Sequence, residues 1–181
     1  MHRLFVALRP PPEVRAGLAA IQSGVPGARW QDDDQLHLTL RYIGEVDRPV
    51  AEDVAAVLGQ VRAAAPVVAI AGVGRFEKHG LADALWAGVA PHDALAALHK
   101  KVDAALVRIG LAPEGRAYLP HVTLARLARS YGGSIEIEHW LAAHAGLTSA
   151  PFTLGHMILF ESRLGSEGAR YDAVMRWPLD G

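Results

Sequence analysis

The sequence predicts a mixed fold of strands and helices, with residues 1–181 forming one compact domain built from two similar halves. Three observations lead there. Leu36 to Gly44 reads Leu-His-Leu-Thr-Leu-Arg-Tyr-Ile-Gly, and its alternation of apolar and polar side chains is the signature of a half-buried strand. The same His-x-Thr pattern returns as Pro120-His121-Val122-Thr123-Leu124. Around each copy the order strand, proline, helix, His-x-Thr strand recurs at nearly constant spacing, 81 residues from Leu4 to Leu85 and 84 from His37 to His121. Such a repeat reads as an internal duplication.

In chain order, residues 3 to 9 read as a buried strand ended by prolines 10 to 12, which also open a helix from Glu13 to about Gln22 with Val14, Leu18 and Ile21 on one face. Asp32, Asp33 and Asp34 come next as a solvated acidic turn. After the first His-x-Thr strand, a helix is expected from about Pro49 to Ala64, a short strand from Pro66 to Gly72, and a loop from Gly74 to Leu81 that carries Phe76, Lys78 and His79. Ala84 to Val89 opens the second half as a strand. A helix from Pro91 to about Ile109 aligns Leu95, Leu98, Val102 and Leu106, and leaves His92 and His99 on solvated positions. The second motif strand lies within 116–127, a shorter helix in 135–145, and two closing strands in 152–162 and 170–177 around a glycine-rich turn.

Composition narrows the function classes. Eighteen basic and nineteen acidic residues leave a net charge of −1, which excludes a protein that coats long nucleic acid through a broad basic surface. Its cations are mostly arginine, which suits bidentate phosphate contacts, so a nucleic-acid substrate would be gripped at an end. With no cysteine there is no disulfide, thiolate metal site or cysteine nucleophile, which fits a cytoplasmic location. No signal peptide and no membrane-spanning stretch are evident. Histidines at ligand spacing with further acidic partners are lacking, so no metal is expected.

A side-chain period of two puts His37, Thr39 and Arg41 on one face of their strand and Leu36, Leu38 and Leu40 on the other. Val122 and Leu124 supply the apolar face of the second copy. Arg126 lies five residues after His121 and points away under the same alternation, unless a bulge re-aims it. Phe5, Trp86 and Tyr171 are either packing residues or surfaces on which a base stacks.

Together, His37-Leu38-Thr39-Leu40, His121-Val122-Thr123-Leu124-Ala125-Arg126, Leu85-Trp86-Ala87-Gly88-Val89 and the C-terminal Glu161, Ser162, Gly168, Tyr171 and Trp177 resemble the 2H phosphoesterases. Within them the resemblance is to the RNA 2',3'-cyclic phosphodiesterases, also described as 2'-5' RNA ligase-like, and it covers nearly the whole chain. It implies a bilobal α+β fold with antiparallel sheets flanked by helices, each pseudo-symmetric half giving one His-x-Thr strand to a central cleft. Leu119 stands where relatives often carry a polar or basic residue, so no phosphate contact is expected from it.

The resemblance also implies the chemistry: hydrolysis of a terminal 2',3'-cyclic phosphate to a 2'-phosphomonoester, without cofactor or metal. Its partners would be RNA ends or oligonucleotides carrying that group, and the protein is expected to be a monomer. His37 would be the proton donor to the leaving 3'-oxygen and His121 the acceptor from water, while Thr39 and Thr123 would bind the phosphate. Arg126, Arg41, Phe5 and Tyr171 are secondary candidates. Histidine suits both transfers because its ordinary pKa lies near neutrality. Other readings left open are 2'-5' RNA ligation or hydrolysis of another small cyclic phosphate at the same site, and a non-catalytic module that binds RNA ends.

Overall fold

The computed structural model describes residues 1–180. Its strands are β1 (His2–Leu8), β2 (Ala28–Trp30), β3 (Leu38–Val46), β4 (Val67–Lys78), β5 (Leu81–Ala90), β6 (His121–Leu127), β7 (Phe152–Thr153), β8 (His156–Gly165) and β9 (Gly168–Pro178). The helices are α1 (Pro12–Ala19), α2 (Arg48–Leu58), α3 (Asp93–Arg108) and α4 (Ile135–His144). The strands join in the order β7-β4-β5-β6-β3-β1-β8-β9, with β2 paired to β6, and every pairing is antiparallel. Reading outward from the centre, β6-β5-β4 on one side mirrors β3-β1-β8 on the other. The fold is α+β.

One face of the sheet carries the core. Leu4, Val6 and Leu8 of β1, Leu38 and Leu40 of β3, and Val122 and Leu124 of β6 are buried there with the inner stripes of α1 (Val14, Leu18), α2 (Val54, Leu58) and α3 (Leu95, Leu98, Val102, Leu106). Each such side chain stabilises the fold by roughly 1.5–3 kcal/mol relative to exposure. The Asp47 carboxylate caps α2 by accepting from the Val50 N–H at 3.0 Å. That helix stops at Leu58, short of the expected Ala64, because Gly59 closes it and Val61 packs on the core from the next loop. The opposite face holds a small second cluster, Phe5, Ala7, Ile158 and Phe160, with Tyr171 packed against it.

Two expectations are corrected. Pro66–Gly72 and the loop after it are one long strand, β4, since the break at Ala71 and Gly72 is a bulge with Gly72 at φ +72° and pairing with β5 resumes at Val73. Phe76 therefore lies on a strand; Lys78 and His79 stay at the hairpin tip. His99 is not solvated: it is half-buried, donates from Nδ1 to the Leu40 carbonyl at 2.7 Å, and stacks on Tyr118 with ring centroids 4.3 Å apart. Asp33 and Asp34 lie in a short 3-10 turn, exposed and ion-paired with Arg9 and Arg15. Among the described residues no helix is long and apolar enough to cross a membrane.

Candidate active site

Leu38 pairs with Val122, and among the described residues this is the single backbone pair between β3 and β6. The antiparallel register sets His37 across from Thr123 and Thr39 across from His121. Beyond that pair the strands diverge, which opens a groove along the face opposite the core. Thr39 and His121 line a recess there with Tyr42 and Phe76.

Each histidine is held in the same way. His37 Nδ1 donates to the Gln35 carbonyl at 2.8 Å, and His121 Nδ1 donates to the Leu119 carbonyl at 2.7 Å, in both cases two residues upstream. A carbonyl can only accept, so the proton of each neutral ring sits on Nδ1 and Nε2 is left as a free base. His37 Nε2 accepts from the Thr39 hydroxyl at 3.1 Å. Leu119 thus serves through its backbone.

Burial is the main force on both rings. It lowers the His37 pKa to about 4; the Gln35 carbonyl opposes this, while charge on His121, Arg126 and Arg9 adds to it. The His121 pKa is also lowered by burial, opposed by the Leu119 carbonyl and assisted by Arg126. Neither ring holds its second proton readily at this depth of burial.

The arginines trade places relative to simple alternation. In β3 the pairing with β1 passes from Thr39 to Arg41 and leaves Leu40 unpaired; in β6 the pairing with β5 passes from Thr123 to Ala125 and leaves Leu124 unpaired. Each bulge flips the face of the residues after it. Arg41, expected in the cleft, therefore turns to the helix side, where it is buried, bonds Asp103 of α3 at 2.8 Å, and donates to the carbonyls of Tyr42 and Ala112. It is a structural ion pair. Arg126, expected to point away, comes onto the cleft face, close enough for its charge to act on His37, His121 and Tyr171. In β3 the corresponding place is taken by Tyr42, half exposed, in a recess shared with Thr39, Phe76 and His121.

The bulges are pinned from outside the sheet. The Leu40 carbonyl accepts from His99, and the Leu124 carbonyl accepts from the Gln31 N–H at 2.8 Å and Gln22 Nε2 at 3.1 Å. The Tyr118 hydroxyl donates to the Thr39 carbonyl at 3.1 Å. Aromatic rings wall the histidines. Phe5 lies 4.9 Å from His37 between Phe160 and Tyr171, and Phe76 meets His121 edge-on at 4.8 Å. Phe5 is 5% exposed, so it packs the His37 ring and offers no face to a base. Tyr171 stays at the rim, edge-on to His37 at 5.2 Å, and lines a recess with Arg126. Trp86 packs 6.1 Å from His121, over Gly74, where any Cβ would meet the indole at 2.3 Å. Among the described residues no group of three His, Asp or Glu side chains is placed to hold a metal ion.

The sequence profile of the 2'-5' RNA ligase superfamily matches residues 10–165, which takes in both His-x-Thr strands. The chain belongs to the 2'-5' RNA ligase superfamily. This is the 2H phosphoesterase group that the paired motifs resemble. The RNA 2',3'-cyclic phosphodiesterase of Aeropyrum pernix is 34% identical over 106 residues, which is 58% of this chain and 60% of that protein. The enzyme of the same name from Methanocaldococcus jannaschii is 24% identical over 178 residues, covering 97% of this chain and 99% of its own length. Among solved superfamily structures, E. coli LigT complexed with 3'-AMP superposes with a TM-score of 0.78 at 23% identity, over 98% of both chains. That likeness fixes the fold.

Proposed function

We propose that this protein is an RNA 2',3'-cyclic phosphodiesterase that opens a terminal cyclic phosphate to a 2'-phosphomonoester by acid/base catalysis between His37 and His121. The observation that carries the reading is the matched pair of Nδ1 bonds to carbonyls, which leaves both Nε2 atoms as the titrating positions at a central groove. In-line displacement at phosphorus needs a base on the side of the attacking water and an acid on the side of the departing oxygen. Two antiparallel strands that touch at one residue pair and then diverge suit that geometry.

His121 Nε2 takes the proton of the attacking water; His37 Nε2, protonated, gives its proton to the departing 3'-oxygen. The bond from water oxygen to phosphorus forms as the bond from phosphorus to O3' breaks. The negative charge of the substrate next to His37 favours the imidazolium that burial alone disfavours. Thr39 and Thr123 donate to the non-bridging oxygens, and Arg126 offsets the charge that builds on them. Both proton transfers run through histidine, so no metal enters the scheme.

The test is to incubate the pure protein, with EDTA, with a short RNA ending in a 2',3'-cyclic phosphate and to identify the product. Quantitative conversion to the 2'-phosphate is expected. A folded protein that leaves the cyclic end untouched, or forms the 3'-phosphate, would overturn the reading.

A further inference from the structure

On the cleft face beyond His37 lies a recess of about 300 Å³ whose lining includes Arg9, Arg15, His156, Phe160 and Arg176 and no carboxylate. Phe160 links it to the catalytic groove: its ring stacks on Phe5 at 5.2 Å and lies 6.1 Å from His37. Asp33 and Asp34, outside the lining, offset part of the charge. Arg15 bonds Asp33 at 2.9 Å, whereas Arg9 reaches Asp33 and Asp34 only at 3.3 and 3.4 Å and keeps a buried Nε with no partner. Arg176 is exposed and has no ion-pair partner among the described residues. A guanidinium cluster with an uncompensated member and a free donor is matched to the oxygens of a phosphate.

We propose that this recess is a second phosphate site, which receives the phosphate on the 5' side of the terminal nucleotide while the cyclic phosphate reacts between the histidines. The inference rests on the reading above. If His37 serves the departing 3'-oxygen, the ribose lies on the His37 side of the phosphorus, and its 5'-oxygen leads over the Phe160 wall towards Arg9 and Arg176. The preferred substrates are then nucleotides or oligonucleotides that carry that phosphate, in place of bare cyclic nucleosides.

Three substrates test this: adenosine 2',3'-cyclic phosphate, the same compound with a 5'-phosphate, and the dinucleotide ApA ending in a 2',3'-cyclic phosphate. The wild-type kcat/KM should be at least about tenfold higher when the extra phosphate is present, mostly through KM. Arg176→Glu should bring that ratio close to one. A gain confined to the dinucleotide assigns the recess to the diester, and one confined to the 5'-phosphate assigns it to a terminal monoester. A wild-type ratio near one, or a ratio that Arg176→Glu leaves unchanged, overturns the proposal. Should none of the three turn over, the proposed function fails, and the recess is then read by binding of adenosine 2'-phosphate with and without a 5'-phosphate. Tighter binding of the bisphosphate that Arg176→Glu abolishes upholds it. Equal binding overturns it.

Discussion

Leu38 and Val122 pair backbone to backbone at the centre of the sheet, and this one pair sets how far apart His37 and His121 stand. Everything else at the site is built outward from it. The threonines lie one residue further along, and the bulges at Leu40 and Leu124 decide which arginine faces the groove.

The pH dependence of turnover is set by burial. The proposed mechanism needs one histidine charged and one neutral, and burial holds both pKa values below 6.5, His37 at about 4. The profile of kcat/KM, which reports the free enzyme, should be bell-shaped with its maximum on the acid side of 6.5. The profile of kcat should lie further alkaline, because bound substrate favours the imidazolium. Coincident profiles centred above pH 7.5 would contradict the lowered pKa values.

The same burial couples His37 to stability. Its folded pKa of about 4 lies below the unfolded 6.5, so between these values the unfolded chain binds a proton that the native one does not. The linked stability is complete above pH 6.5 and is lost as pH falls towards 4. The shift corresponds to up to about 3 kcal/mol, of which about 2 kcal/mol is gone by pH 5. Urea unfolding at pH 7 and pH 5 should show this loss in the wild type and a smaller one in His37→Gln.

Arg41 and Arg126 should respond in opposite ways. Arg41→Ala leaves Asp103 without its guanidinium and two carbonyls without a donor, so a loss of about 3–5 kcal/mol in stability is expected, and Arg41→Lys should recover little of it. Arg126 is exposed and has no ion-pair partner among the described residues, so Arg126→Ala should leave stability within about 0.5 kcal/mol and lower kcat/KM about a hundredfold. Melting curves and steady-state kinetics on both variants decide it. The reverse pattern would mean that the bulges do not re-aim the strands as described.

Thr39→Val and Thr123→Val keep the side-chain shape and remove the hydroxyl. A hydrogen bond to a charged phosphate oxygen contributes about 1.5–3 kcal/mol, so each variant should lose roughly 10- to 150-fold in kcat/KM. The melting temperature of Thr123→Val should stay close to wild type, whereas Thr39→Val should lose about 1 kcal/mol of stability because His37 Nε2 loses the hydroxyl it accepts from. A valine variant of full activity would remove that threonine from the phosphate site.

The sequence made the centre of the candidate site legible, because alternation around His37 and His121 marks half-buried strands and two copies at nearly constant spacing mark related halves. It did not show the bulges. An unpaired leucine in an apolar run leaves no mark in composition, so Arg41 reads as facing the groove and Arg126 as facing away, the opposite of what the structure shows. Gly72 and Gly74 look like the end of a strand, which hid Phe76 in an expected loop although it packs against His121. His99 looked solvated because its partner is the Leu40 carbonyl freed by a bulge, and nothing local to the helix announces that bond. Long-range pairing, not local propensity, placed these residues.

The central claim is that His37 and His121 act as the acid and base, and the most direct measurement is turnover of an RNA 2',3'-cyclic phosphate by His37→Ala and His121→Ala. Each is expected to fall by about 10²- to 10⁴-fold while circular dichroism and cooperative melting show an intact fold. Either variant, folded and still turning over at a rate near wild type, would contradict the two-histidine mechanism.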